Sequence, residues 1–361
     1  MILNKDLVLP AVYGGAFLGG GGGGWIEEGI EIADMAVSMG APRLIDISDL
    51  SSDSYVCNVS LVGAPASSDR CVKPIDYVTA LKNLMKNIDV NIAGIISNEN
   101  GPVATVNGWI QSAVLGIPVV DAPSNGRAHP TGVMGSMMLD KRRDYISHQS
   151  AVGGSVERGK YLEVYSKGSI DNTSAIVRQA SEHARGFVAV ARNPVSVDYV
   201  KRNGAIGAIK KAIQIGEAFF NKSGEGALAM VRAMVNEAQG EIIDKGIIRD
   251  KTLEMRKGFD LGRLTIQGED RQYIIDIWNE YMVLECGDER LGTFPDLIML
   301  MDADTGRPLI SAEASKGNHV YIVKVSRDKL ILGSGMKDKD NMIEVEKVLN
   351  KDICKYCGEL F

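Results

Sequence analysis

Glu99 stands between two amides, Asn98 and Asn100, in the segment Ser97-Asn-Glu-Asn-Gly-Pro102. A lone carboxylate held by amides is suited to take a proton from water, which makes Glu99 the first candidate for a general base. A second polar cluster occupies Asp121-Ala-Pro-Ser-Asn-Gly-Arg-Ala-His-Pro130. Asp121 ends an apolar stretch, where desolvation raises a carboxyl pKa unless Arg127 or loop amides offset it. Arg127 offers a planar fork for a carboxylate or imide edge, and His129 is of the type that shuttles a proton. A third feature is the unbroken run Gly19 to Gly24 before Trp25-Ile-Glu-Glu28. Six glycines are costly in backbone entropy, so the run points to close approach or positive φ rather than to economy of folding. Its N–H groups, with the N-terminus of the helix that follows, would cradle an anion or a polar ligand edge. The candidate catalytic residues are therefore Glu99, Asp121 and His129, and the candidate substrate-binding residues are Gly21, Gly22, Gly23, Gly24, Asn98, Asn100, Asn125 and Arg127. Each type also has an ordinary structural use: Asp121 and Glu99 in turns, Arg127 in a buried ion pair, His129 in a surface loop.

These residues sit where alternating elements would place them. Leu7–Leu18 and Ile26–Met39 have helical character, so the glycines form a helix-to-helix loop without the Gly-Lys-Ser/Thr ending of a nucleotide-binding loop. Strands are expected at Arg43–Ser48, Tyr55–Val62, Asn91–Ser97 and Ile117–Asp121, with helices at Pro74–Asn87 and Val103–Leu115. Such alternation implies a mostly parallel sheet covered by helices, with ligands beyond the carboxyl ends of the strands. The loops Gly63–Asp69, Ser97–Pro102 and Asp121–Pro130 should then converge on one rim. Helix is expected to open at Asn193-Pro194 and to run amphipathically over Ala205–Phe220. From Gly240 to Val325 the pattern changes to period two, at Phe259–Ile266, Tyr273–Leu284, Leu297–Met301 and Val320–Val325, with turns at Gly287-Asp288 and Asp304-Thr-Gly306. This reads as an antiparallel, barrel-like module, after which Asp340–Leu349 returns to helix. The expected fold is α/β: a three-layer αβα domain with a mostly parallel sheet, plus a smaller β-barrel-like module. The expected divisions are 1–165 for the N-terminal α/β domain, 166–239 for a helix-rich continuation, 240–325 for the β-module, and 326–361 for a segment returning to the α/β domain.

At 361 residues with 45% hydrophobic and 24% charged side chains, the chain can bury a large core. A net charge of −6 and the absence of a basic face argue against nucleic-acid binding. Lys141-Arg-Arg143 is short and precedes Asp144, as a solvated patch would. Pro10 interrupts the first apolar stretch and Asp6 spoils a basic leader, so a cytoplasmic protein with no membrane association is expected. Five cysteines fit a reducing compartment. Cys354-Lys-Tyr-Cys357 has half of a zinc spacing, to which Cys57, Cys71 and Cys286 would have to converge; no cofactor is identified, and a divalent metal stays open. His148, His183 and His319 are isolated, and Ser67, Ser68 and Ser124 lack a nucleophile-elbow setting. Homo-oligomerisation is the expectation for a small-molecule enzyme of this size.

Leu18 with the glycine run, Gly116-Ile-Pro-Val-Val-Asp121 and Gly126-Arg-Ala128 with Pro130 together resemble the DUF917 family, whose halves are also called S-methyl thiohydantoin desulfurase domains. The segments Asn279-Glu-Tyr281, Phe294-Pro-Asp-Leu-Ile298 and Asp302-Ala-Asp-Thr-Gly-Arg-Pro308 are similar to that family's second half. The resemblance spans nearly the whole chain in order. It implies a three-layer α/β domain carrying a β-barrel module, and company with hydantoinase- and 5-oxoprolinase-like enzymes of cyclic amide and ureide catabolism. The sequence departs from the family pattern after Glu99, where Asn100-Gly-Pro-Val-Ala104 replaces Gly-Gly-x-Asn, and at His129 and Thr131. The leading expectation is a hydrolase-type enzyme acting on a hydantoin- or S-methyl thiohydantoin-like ring by general acid–base catalysis. Two alternatives stand beside it: a non-catalytic ligand-binding or accessory subunit of a hydantoinase- or oxoprolinase-like protein, and a metal-dependent lyase or hydrolase.

Overall fold

The structure is a computed structural model that describes residues 1–63, 71–256 and 258–360. The expected rim loop Gly63–Asp69 therefore lies, after Gly63, outside the described residues. Two helices open the chain, α1 (Val8–Gly19) and α2 (Ile26–Met39), joined by the glycine loop. Helix α1 is apolar nearly all round, as suits a helix buried on every side. It ends at Gly20, whose left-handed φ of 56° closes the last turn.

The first sheet contains β1 (Leu44–Ile45), β2 (Tyr55–Gly63), β3 (Ile92–Ser97), β4 (Val119–Val120), β5 (Ser147–Gly153), β6 (Leu162–Gly168) and β7 (Phe187–Ser196). Their spatial order is β1-β4-β3-β2-β7-β5-β6. The first four pair in parallel, β7 runs against β2, β5 against β7 and β6 against β5. Five strands thus share one direction, and only β6 and β7 oppose it. Alternate side chains of β2 face opposite layers. Cys57 and Val59 join the core under α1, α2, α3 (Pro74–Lys86) and α4 (Trp109–Leu115). Val56 joins the core on the other face, with Ile170 and Val200 from α5 (Ile170–His183) and α6 (Val197–Asn203). The domain is a three-layer αβα sandwich.

Three local expectations differ from the structure. Val103–Leu115 is not one helix: a short 3-10 turn at Ala104–Val106 is separated from α4 by Gly108, whose φ of 97° breaks the helical path. The first strand is only two residues long, because Asp46 and Asp49 cap each other's backbone in a 3-10 turn. Asn193-Pro194 lies within β7 rather than opening a helix; α6 begins after Ser196, whose hydroxyl accepts the Tyr199 N–H.

Helices α7 (Ala208–Phe220) and α8 (Ala227–Glu237) lead into an entirely antiparallel second sheet. It is built from β8 (Glu241–Arg256), β9 (Phe259–Gln267), β10 (Gln272–Trp278), β11 (Glu280–Cys286), β12 (Glu289–Thr293), β13 (Leu297–Asp302), β14 (Pro308–Leu309) and β15 (His319–Val325), in the order β12-β11-β10-β9-β8-β15-β13-β14. The sheet curls: a side chain at Gly292 on β12 would come within 3.1 Å of Ile298 on β13. Its concave face shares one core with Phe17 and Leu18 of α1 and with α7 and α8. The last helix, α9 (Lys339–Leu349), packs Met342 and Val345 against Trp278, Met282, Phe294 and Met134, so it touches both parts of the molecule. Lys141 adds ion pairs to Asp338 and Asp340 at 3.0 and 2.6 Å. Among the described residues no helix is long and apolar enough to cross a membrane.

Candidate active site

The glycine loop is held by its carbonyls. Gly23 O accepts from Val103 and Ala104, Gly20 O from Tyr281, and Gly21 O from Ser311. These bonds tie the loop to the sheet domain on one side and to the β-module on the other. The close fit explains the composition: a Cβ at Gly23, where φ is 81°, would lie 2.5 Å from Gly101 Cα, and one at Gly22 would lie 2.0 Å from Glu280 Oε1. Gly21 to Gly24 border a cavity of about 360 Å³ between the two parts. That volume is at the small end for a ligand pocket and suits one compact molecule.

The cavity floor is the carboxyl edge of β2 and β3. Asn98 and Glu99 follow β3 directly, and the loop after β4 brings His129 over them. His129 Nε2 lies 3.1 Å from Glu99 Oε2 and 3.3 Å from Asn98 Nδ2, while the His129 N–H points to Glu99 Oε2 at 3.3 Å. Burial pushes the Glu99 carboxyl up to about 8, against the opposing influence of the His129 amide, Arg192 and Asn98. Burial also pushes His129 down to about 3, assisted by the charge of Arg192. The histidine is therefore neutral, and its contact with Glu99 is a hydrogen bond sharing one proton rather than an ion pair. Arg192, buried on β7, fixes the orientation of Asn98: its Nη2 donates to Asn98 Oδ1 at 3.2 Å, so the amide nitrogen must face His129 and Glu99.

The opposite wall is the β-module. Asn279, with φ of 57°, turns β10 into β11, and its side chain accepts the Asp260 N–H at 2.9 Å. The next residue, Glu280, is 2% exposed, and its Oε2 has no partner among the described residues. Burial raises its pKa well above the carboxylate range, and the nearby charge of Glu99 raises it further. Two carboxyl groups thus face one cavity, and the charge of Glu99 disfavours ionisation of Glu280, an arrangement that separates a base from an acid.

The N-terminal half of the chain, residues 9–151, matches the family described as S-Me-THD-like, N-terminal domain, and residues 169–334 match S-Me-THD-like, C-terminal domain. The chain belongs to the S-Me-THD-like family. Its fold is similar to the crystal structure of a protein from Chromobacterium violaceum, with a TM-score of 0.71 and 18% identity over 100% of this chain and 98% of that one. No curated protein matches the sequence.

Not all of the residues singled out from the sequence of this S-Me-THD-like protein reach the cavity. Gly21 to Gly24, Asn98, Glu99 and His129 line it; Asn100, Asp121, Asn125 and Arg127 do not. Asp121 Oδ1 instead accepts the N–H groups of Ile209 and Lys210 at 2.8 and 3.3 Å, capping the first turn of α7. Asn100 donates to Gly126 O and Ala208 O and accepts from Thr105, and Asn125 donates to Met134 O. Arg127 is fully buried behind the glycine loop, donating to the carbonyls of Ala128, Pro295 and Asp296 and lying 4.7 Å over the Phe294 ring. It binds the two parts of the protein together. Burial lowers its pKa to about 10, against the charges of Glu280 and Asp296, so it remains a cation near neutral pH.

Conversely, Glu280, Asp260, Arg178 and Arg192 border the cavity without having been singled out. A signal existed for Arg192, a charge set directly after the apolar run Phe187-Val-Ala-Val-Ala191 of a strand. Glu280 fell inside a period-two segment and, although Asn279-Glu-Tyr281 carried part of the family resemblance, nothing in its local spacing marked it as a site residue. Among the described residues no three His, Cys, Asp or Glu side chains cluster as metal ligands. Cys57 is wholly buried in the sheet core, and Cys357 donates to Phe294 O.

Proposed function

We propose that the protein is a hydrolase-type enzyme acting on a small five-membered cyclic amide or ureide, of hydantoin or S-methyl thiohydantoin character, by general acid–base catalysis. The observation that carries this reading is the pair Glu99 and Glu280: two buried carboxyls facing one small cavity, one of them sharing a proton with a neutral histidine. The family name supplies the ring type, and the cavity size agrees with it.

For an S-methylated ring, the chemistry balances as follows. Ionised Glu99 takes a proton from water as the water oxygen bonds to the ring carbon bearing sulfur. Neutral Glu280 gives its proton to the adjacent ring nitrogen, where the electron pair of the carbon–nitrogen double bond arrives. The new hydroxyl returns its proton to Glu280 as the carbonyl forms and the carbon–sulfur bond breaks. Methanethiol leaves with the proton held by Glu99. His129 and Asn98 hold the Glu99 carboxyl towards the reacting carbon, and neutrality of His129 keeps the pair from becoming an inert salt bridge. In a hydantoin the water oxygen would bond to a ring carbonyl carbon as Glu99 takes its proton, and the carbonyl electron pair would move to oxygen. On its return the carbon–nitrogen bond would break as Glu280 gives its proton to the departing ring nitrogen.

The test is turnover of S-methylated thiohydantoins and hydantoins by the purified protein, read by ring absorbance and thiol release. Glu99→Gln should lower turnover about a hundredfold or more, as for loss of a general base. Turnover that depends wholly on added hydantoinase- or oxoprolinase-like protein would favour an accessory subunit instead.

A further inference from the structure

An edge strand presents a row of unpaired backbone N–H and C=O groups, and most edges in this fold are covered or short. The free side of β1 is closed by the N-terminal segment, where Leu44 exchanges hydrogen bonds with Met1 and Ile2 bridges Arg43. In the second sheet β14 is two residues long, and β12 is five residues long with its Arg290 bonded to Asp352 O of the C-terminal segment. The exception is β6, seven residues at the end of the first sheet. It pairs with β5 on one side, and among the described residues no backbone group bonds to its other side. Tyr165 within it and Tyr161 just before it are exposed.

The sequence of this edge is complementary to itself. In Leu162-Glu-Val-Tyr-Ser-Lys-Gly168 the side chains alternate, so Glu163, Tyr165 and Lys167 share one face. A second β6 laid antiparallel against the first, with the two-fold axis at Tyr165, sets Glu163 opposite the partner's Lys167 and Lys167 opposite the partner's Glu163. The two Tyr165 rings then meet at the axis as a cross-strand aromatic pair. An axis at Glu163 or at Lys167 would instead set like charges directly against each other, which is unfavourable. The Glu163 carboxylate is already held in place, accepting from Asn83 Nδ2 at 2.6 Å and from the Tyr161 hydroxyl at 2.7 Å. Lys167 is exposed and makes no ion pair among the described residues, so its charge is free to meet a carboxylate from outside. Charges on an edge discourage foreign strands. Here their order favours the one strand that carries the same sequence.

We propose that two copies of the chain join along β6, antiparallel about Tyr165, so that their seven-stranded sheets become one continuous sheet. The same patch is used on both copies, so the contact closes at a dimer and leaves no further β6 edge to recruit a third chain. Helices α3 and α5 flank β6 on its two faces and extend the contact beyond the strand. Nothing in this pairing depends on the chemistry proposed for the cavity.

The experiment is sedimentation of the full chain over a range of micromolar concentrations, with charge reversals on the edge. The wild type should be a dimer. Glu163→Lys and Lys167→Glu should each raise the dissociation constant about tenfold or more, because each sets two like-charge pairs across the axis. The chain carrying both substitutions should return to the wild-type constant. An equal mixture of the two single variants should also associate, as a heterodimer in which every pair is again of opposite charge. A role of either residue within its own chain would not produce that rescue in the mixture. Thermal scans establish that each variant is folded. Should Glu163→Lys be unfolded, through loss of the acceptor for Asn83 and Tyr161, the comparison of Lys167→Glu with Lys167→Met decides, the first weakening association more than the second. A monomeric wild type would overturn the proposal, as would a dimer that neither reversal weakens. Weakening by both single variants without rescue in the mixture or in the double variant would overturn the register about Tyr165.

Discussion

Replacing Glu99 by glutamine should make the protein more stable as well as less active, and the gain should depend on pH. Below pH 4.5 the carboxyl is protonated in both the folded and unfolded chain, and it contributes no pH dependence. Between 4.5 and about 8 the unfolded chain releases the proton while the folded chain, by burial, keeps it. The unfolded state then binds fewer protons, so stability falls as pH rises, by about 1.4 kcal/mol per pH unit. From pH 5 to pH 7 the wild type should lose about 3 kcal/mol through this one group, a loss that the Glu99→Gln variant cannot show. With an unfolding entropy of roughly 2.1 cal/mol/K per residue over 361 residues, that is about 4 °C in melting temperature. The Glu99 side chain is only 14% exposed, so solvent screening leaves most of this effect in place. Glutamine retains the volume and can hydrogen-bond His129 Nε2, so packing is not the variable. Thermal scans of both proteins at pH 5, 6, 7 and 8 provide the assay. The difference, variant minus wild type, should grow with pH to about 8 and then level off. A difference that is constant with pH would refute the reasoning, since Glu99 would then be titrating as an ordinary carboxylate.

Other perturbations separate structure from chemistry. Turnover should rise with pH through a limb near 8, where Glu99 ionises, and the limb should vanish in the residual activity of Glu99→Gln; a pH–rate profile of both proteins checks this. Arg127→Lys should cost about 3 kcal/mol or more in stability, because an ammonium cannot serve the carbonyls of Ala128, Pro295 and Asp296 together, while the affinity of the folded fraction for ligand stays near that of wild type. Denaturation and calorimetry on one preparation read both quantities. Gly23→Ala should cost roughly 2 kcal/mol or more, combining a left-handed backbone with a clash at Gly101, and thermal scanning should show it.

The elements that announced themselves were those with uninterrupted periodicity and a physical stop. Helix α2 spans the expected Ile26–Met39, and the period-two segments from Phe259 onward lie on β9, β10, β11, β13 and β15. Asn193-Pro194 looked like a helix opening because proline suits a first turn. At that point β7 approaches its end, and the Asn193 side chain accepts from Ser147 across the sheet, so tertiary pairing overrode the local cue. The site was partly legible for a similar reason. A carboxylate among amides and a histidine before proline carry their chemistry in their types, and both border the cavity. Arg127 carried the same kind of signal, but type alone does not tell a ligand from a buried carbonyl, and the structure gives its fork to Ala128, Pro295 and Asp296. Glu280 and Arg192 come to the site only through pairing of distant strands, which local spacing does not encode.

The most direct measurement is consumption of S-methylated thiohydantoins and hydantoins by the purified wild-type protein, Glu99→Gln and Glu280→Gln, followed by ring absorbance and thiol titration. The wild type should consume at least one compound without added protein, with methanethiol released in step with carbonyl formation for the S-methylated ring. Both variants should remain folded and lose about a hundredfold or more in rate. Full turnover by Glu99→Gln and Glu280→Gln on a compound that the wild type consumes would contradict the assignment of the two carboxyls as base and acid.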